Sequence, residues 1–178
     1  MLSLVTSRIA AAALTAVGSL TLLIPASPAQ AKVALVTCGG SQTTTYNPGL
    51  TNTAQTVQRA GQNIHTPCVS TAPPFTFSGS TSFTSTSALS CLSLTAANTG
   101  TDLITWSTGR TSTFSYNRTV TVVQGQTIVT LTGSITAGDF QGATAEETIT
   151  SVSLDLAACS STQGITSTYG VSELTILG

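Results

Sequence analysis

Thr111–Thr136 reads TSTFSYNRTVTVVQGQTIVTLTGSIT. In its first half Phe114, Tyr116, Val120 and Val122 share one parity, with Arg118 interrupting the row. In its second half Val129, Leu131 and Ile135 do the same around Gly133. Successive side chains of a strand point to opposite faces, so a period of two marks a strand with one buried side. Gln124-Gly125-Gln126 punctuates the two runs, and such a pair forms an antiparallel hairpin. Gly133 inside the second run marks a bulge or a close backbone approach.

The same alternation extends outward in both directions. VALVT (33–37) leads into SQTTTY, and Asn47-Pro48-Gly49 supplies a turn before the short strand TAQTVQR. HTPCVSTAPPF reads as a loop, because Pro67, Pro73 and Pro74 each remove a ladder donor. FTFSGS, TSFTSTSA, LSCLSLT and DLITWS follow as strands, with TAANTGTD as a turn before the last. Beyond the opening hairpin, AGDFQG is a turn. ATAEETITSVSLDL is a long strand whose apolar parity changes between Ile149 and Val152, which predicts a bulge near Thr150. ACSSTQG is a loop, and ITSTYGVSELTIL closes the chain as one or two strands. No helical period appears after Ala31. Eight or nine strands separated by turns predict an antiparallel two-sheet β-sandwich, immunoglobulin-like or related, with a partly closed barrel as the alternative.

Residues 1–31 have the order of a secretory signal peptide: Arg8, an apolar helical run from Ile9 to Ile24, Pro25, and a cleavage signal at Ala29-Gln30-Ala31. The apolar run is shorter than the roughly 20 residues of a spanning helix. The expectation is a single exported domain over 32–178, secreted and free of the membrane after cleavage. Charged residues are 6% of the chain, while Ser and Thr fill about a third of residues 32–178, so the surface carries hydroxyls in place of charges. Nucleic acid is excluded as a partner, because its binding rests on clustered Lys and Arg. Cys38, Cys68, Cys91 and Cys159 in an exported chain imply two disulfides. Three pairings are possible; Cys38 with Cys68 and Cys91 with Cys159 would tie each chain end or loop to its nearer half.

Catalytic chemistry finds few carriers. His65 is the one histidine, and no Ser lies in a G-x-S-x-G elbow. Glu146 and Glu147 are neighbours on a strand, point to opposite faces and cannot act as a glycosidase pair. Neither a zinc spacing nor a calcium loop is present, and no cofactor motif is found. Asn117-Arg118-Thr119 fits a glycosylation sequon. The binding candidates are Trp106, Arg110, Phe114 and Tyr116, gathered in TWSTGRTSTFSYNR (105–118). A three-residue loop Ser107-Thr108-Gly109 would place Trp106 on the Phe114 face, in the core. A two-residue loop would expose it beside Arg110 as a stacking platform.

Three stretches, TCGGSQTTTYNPGL, TWSTGRTS and TGSITAGDFQG with the later Ala158-Cys159, resemble a group of small secreted proteins of actinobacteria such as streptomycetes. The resemblance spans most of residues 32–178. It implies a secreted, disulfide-containing β-protein and brings no catalytic or binding residue with it. In composition the chain is also similar to the apoproteins that carry enediyne chromophores on an immunoglobulin-like sandwich. The function expected from these readings is a non-enzymatic extracellular interaction or cell-envelope module, whose partner is a wall glycan or another extracellular protein. The alternatives are a carrier of a small hydrophobic ligand and a polysaccharide hydrolase.

Overall fold

Eight antiparallel strands follow one another: β1 (Ala34–Leu50), β2 (Gln55–Ser70), β3 (Thr76–Leu89), β4 (Asn98–Trp106), β5 (Thr111–Val123), β6 (Gln126–Gly138), β7 (Thr144–Val152) and β8 (Ile165–Leu177). The structure is a computed structural model that describes residues 34–152 and 155–178. The leader, with Ala29 and Ala31, lies outside the described residues. Each strand pairs with its successor, and β8 returns to β1 from Val36–Ile176 to Thr45–Ser167. The sheet is therefore one closed up-and-down barrel, and the two-sheet sandwich is overturned.

Strand length and twist account for the difference. Six of the eight strands run 13–17 residues, against the five or six of a common strand. A long, strongly twisted eight-stranded sheet coils until its first and last edges meet, which leaves no unpaired edge. The long strands absorb signals that read as breaks. Asn47-Pro48-Gly49 stays within β1, and FTFSGS joins TSFTSTSA as β3. Pro67 sits inside β2 at a bulge: pairing jumps from Cys38–Cys68 to Gly40–His65 on one side and from Cys68–Phe77 to His65–Gly79 on the other. The extra residue removes the need for a proline donor.

Two short helices break the all-strand expectation. A 3-10 helix covers Cys91–Thr95, where LSCLSLT reads as strand. α1 (Leu156–Ser160) is capped by the Asp155 carboxylate, which accepts from the Ala157 and Ala158 amides at 2.9 and 3.0 Å. Helices of five residues are too short to print a period. The bulge expected near Thr150 is absent: β6 and β7 stay in step from Ser134–Thr144 to Gln126–Val152, and Val152 simply faces outward. The register break lies between Thr113 and Phe114. At Gly133 the signal is a close approach, since a Cβ there would collide with the Ser115 carbonyl.

The interior divides along the barrel axis. One end is filled by Val36, Ile104, Trp106, Phe114, Ile135, Leu174 and Ile176, with the Cys38–Cys68 disulfide bridging opposed residues of β1 and β2. The other end is covered by a second cluster, Tyr46, Leu50, Val57 and Ile165 around the Cys91–Cys159 disulfide, which joins the 3-10 helix to α1. The outward rows are largely polar, as with Thr111, Asn117 and Thr119 on β5 and Gln58 and Gln62 on β2, with exposed apolar residues such as Ile64, Leu103 and Val171 set among them. The filled apolar interior differs from that of a lipid-embedded barrel, whose interior is polar.

Candidate functional site: a polar cavity inside the barrel

Between the two apolar ends lies a cavity of about 260 Å³, lined from β1, β2, β3, β4, β5 and β8 by Gln42, Tyr46, Arg59, Phe83, Asp102, Tyr116, Arg118 and Thr168, with Val129, Leu131 and Ile149 as its apolar wall. Eight strands enclose an interior that side chains just fill or that holds one small ligand. Here the inward residues decide which half does which. Two glycines make the space. The Phe83 ring lies across Gly61, and the Tyr116 ring lies across Gly100; a Cβ at either glycine would collide with the ring. The cavity opens sideways, because β3 and β4 pair only at Gly79–Trp106 and Ser80–Thr105. Beyond Thr81 on β3 and before Ile104 on β4 the strands diverge, and Phe83, Ser85 and Asn98–Asp102 line the gap.

Three charged side chains face this space. Arg118 is committed to the cover: its guanidinium donates to the Leu94 carbonyl at 2.8 Å and to the Ala96 carbonyl. Asp102 and Tyr116 both line the cavity; burial raises the Asp102 carboxyl, with the Tyr116 hydroxyl and Arg59 opposing the rise. Burial, followed by Asp102, pushes Tyr116 up to about 12, so it is a firm donor. Arg59 differs from both. Its guanidinium lies 4.9 Å from the centre of the Phe83 ring, its buried Nε has no partner, and it makes no ion pair among the described residues.

Deeper in the barrel sits a polar layer. Asn63 Nδ2 donates to Glu147 Oε1 at 2.8 Å, and His65 Nδ1 lies 3.9 Å from the same oxygen, too far for a hydrogen bond. Burial pushes Glu147 up to about 8, with Asp102 adding to the rise, and it lowers His65 to about 4. At neutral pH this contact therefore joins a neutral acid and a neutral imidazole and is not an ion pair. Asn63 Oδ1, His65 Nδ1 and Ser172 Oγ are buried without partners.

The four sequence candidates do not form one site. The loop after Trp106 has three residues, with Gly109 at φ 82° and the Trp106 amide bonded to the Arg110 carbonyl. Trp106 is 2% exposed, packs edge-on against Phe77 and Phe140, and donates from Nε1 to Ser112 Oγ at 2.8 Å. Phe114 is buried in the same cluster. Arg110 is exposed and pairs with Asp139 at 2.5 Å. Tyr116 alone lines the cavity. Of the residues missed, Arg59, Asp102 and Glu147 share a signal: each is a polar residue on the apolar parity of its strand, with Val57, Ile104 or Ile149 two places away; Asn63, between Gly61 and His65, carries no such mark. Glu146 and Glu147 do face opposite ways, exposed and buried respectively.

No family model, curated protein or solved structure matches this chain.

Proposed function

We propose that this protein is an extracellular small-molecule-binding barrel that holds its ligand in the cavity between Arg59, Phe83, Asp102 and Tyr116. The observation that carries the reading is a cavity with converging polar groups inside an otherwise filled barrel, open through the β3–β4 gap. Binding sites combine a largely preformed cavity with a few placed polar groups, and this one lies near the small end of their size range of roughly 300–1,000 Å³. The export expected from residues 1–31 agrees with two disulfides. Among the described residues no helix is long and apolar enough to cross a membrane.

The test is a fragment screen by amide NMR, with neutral and charged fragments, on the protein and on Ser85→Trp. Hits that shift the amides of 98–102, 59 and 116 and are lost in the folded Ser85→Trp protein support the reading. Hits that leave those amides unmoved, or that survive the blocked cavity, sink it.

A second reading, the extracellular interaction module, draws on one other feature. An outer groove of about 590 Å³ runs beside Val152, Tyr169 and Val171, all more than half exposed, where β8 between Ile165 and Gly170 pairs with β1 and has no β7 partner. Its one acid, Asp155, is occupied in capping α1, so the groove offers apolar area without chemistry. Retention on cell-wall preparations that Tyr169→Ser abolishes would favour this reading over the cavity.

A further inference from the structure

The cavity has a charge imbalance that its own residues do not resolve. A guanidinium carries five donors in a planar fork suited to two oxygens of one group. In Arg118 that fork is used on carbonyls of the cover. In Arg59 it lies over the Phe83 ring, its Nε has no partner, and among the described residues no carboxylate pairs with it. Asp102, the one carboxylate lining the cavity, makes no ion pair with Arg59 among the described residues. Glu147 lies deeper, bonded to Asn63. The guanidinium lies over the Phe83 ring, and Phe83 is in turn seated on Gly61, so the ring anchors the cation at the cavity. The Arg59 Nε is buried without a partner while the residue as a whole is half-buried, so the fork is incompletely satisfied yet reachable, and an anion that meets it supplies the missing acceptors.

We infer that the ligand is a small organic monocarboxylate, its carboxylate set on the Arg59 guanidinium and its apolar body against Phe83, Val129, Leu131 and Ile149. This rests on the cavity being the binding site. A monoanion balances the one cavity-lining cation that is unpaired among the described residues, whereas a phosphate would bring a further charge beside Asp102. The apolar wall requires more than a bare inorganic anion, and about 260 Å³ limits the body to one ring or a short chain.

The experiment titrates butyrate, benzoate, phenylacetate and cinnamate, each beside its amide, together with inorganic phosphate. It reads the Arg59 Nε–Hε resonance and the heat of binding. The expected result is that at least one acid binds ten-fold or more tighter than its amide and shifts the Arg59 resonance. Arg59→Gln should reduce that acid to the affinity of its amide, and Arg59→Lys should recover part of the gap. Phosphate should bind more weakly than the best acid. Should Arg59→Gln fail to fold, the wild-type resonance still decides. Amides that bind in the cavity as well as acids, an Arg59 resonance that no acid moves, or a preference that survives Arg59→Gln would each overturn the carboxylate while leaving the cavity reading intact. If acids, amides and the wider fragment set all leave the cavity amides unmoved, both fall.

Discussion

The Trp106 end and the Arg59 end of the barrel use the same construction and reach opposite results. In each, an aromatic ring from one strand lies across a glycine of its neighbour: Trp106 over Gly79, Phe83 over Gly61. At the Trp106 end the other inward positions are Val36, Ile104, Phe114, Ile135 and Ile176, and the indole N–H is satisfied by Ser112, so the space closes. At the Arg59 end those positions carry Gln42, Thr44, Asp102 and Arg118, whose polar heads cannot interdigitate without partners. The same ring-on-glycine device makes a core where its neighbours are branched hydrocarbons and a cavity where they are polar. Apolar side-chain packing should therefore be concentrated at one end and binding at the other, with a disulfide-stapled cover over the binding end.

The strongest challenge to that division is Trp106→Ala. It should cost about 3–5 kcal/mol, a large share of a domain's stability, and appear as a much lower denaturation midpoint. A loss under 1 kcal/mol would mean that the closed end does not hold the fold. Next comes the cover over the cavity end. Replacing Cys91 and Cys159 together by Ala frees a 68-residue loop and should cost about 4 kcal/mol by the chain-entropy estimate. Fragment binding in the cavity should weaken as well, whereas a variant that keeps full affinity would detach the cover from the site.

The layer between the ends should govern the response to pH. His65, lowered to about 4, contributes stability that is lost as pH falls from about 6.5 toward 4. Glu147, raised to about 8, contributes stability that is complete below about 4.5 and lost as pH rises toward 8. Between about pH 4.5 and 6.5 the two slopes oppose each other, so stability should be flat there. Above 6.5 Glu147 acts alone and should remove about 2 kcal/mol by pH 8, at about 1.4 kcal/mol per unit. Glu147→Gln should abolish the alkaline fall, and urea midpoints across pH 4–8 decide it. The smallest effect is expected at Arg59. Because it makes no hydrogen bond, Arg59→Gln should change stability by under about 0.5 kcal/mol, or raise it, in contrast with Trp106→Ala. A loss of 2 kcal/mol in thermal unfolding would make Arg59 a structural residue and erase the contrast.

Much of the fold could be read locally. The alternation of Phe114, Tyr116, Val129 and Leu131 specifies β5, β6 and their antiparallel turn, because a strand's two faces are set residue by residue. Parity tied the orientation of Trp106 to the loop length, but only the structure, with three residues Ser107–Gly109 in the loop, turns Trp106 inward. The proline signals misled, because a bulge lets Pro67 remain in β2, and whether a bulge forms depends on partner strands far along the chain. Within the cavity, Arg118 is visible as a break in an apolar row. Arg59 and Asp102 carry the same mark in shorter rows, where one polar residue among few apolar ones is easily read as a strand end.

By itself, the sequence determined most of the strands, their antiparallel order, the hydroxyl-rich outer face and an even count of four cysteines. Those properties follow from local alternation and composition. The tertiary structure alone decided that β1 meets β8, which turns the same inward residues from the filling of a sandwich into the wall of a barrel. It also decided that Arg59 stands near Phe83, Asp102 and Tyr116 with its guanidinium unclaimed. Closure depends on accumulated twist over eight long strands, and a cavity on which side chains meet across the barrel axis. Neither quantity is carried by any one stretch of chain.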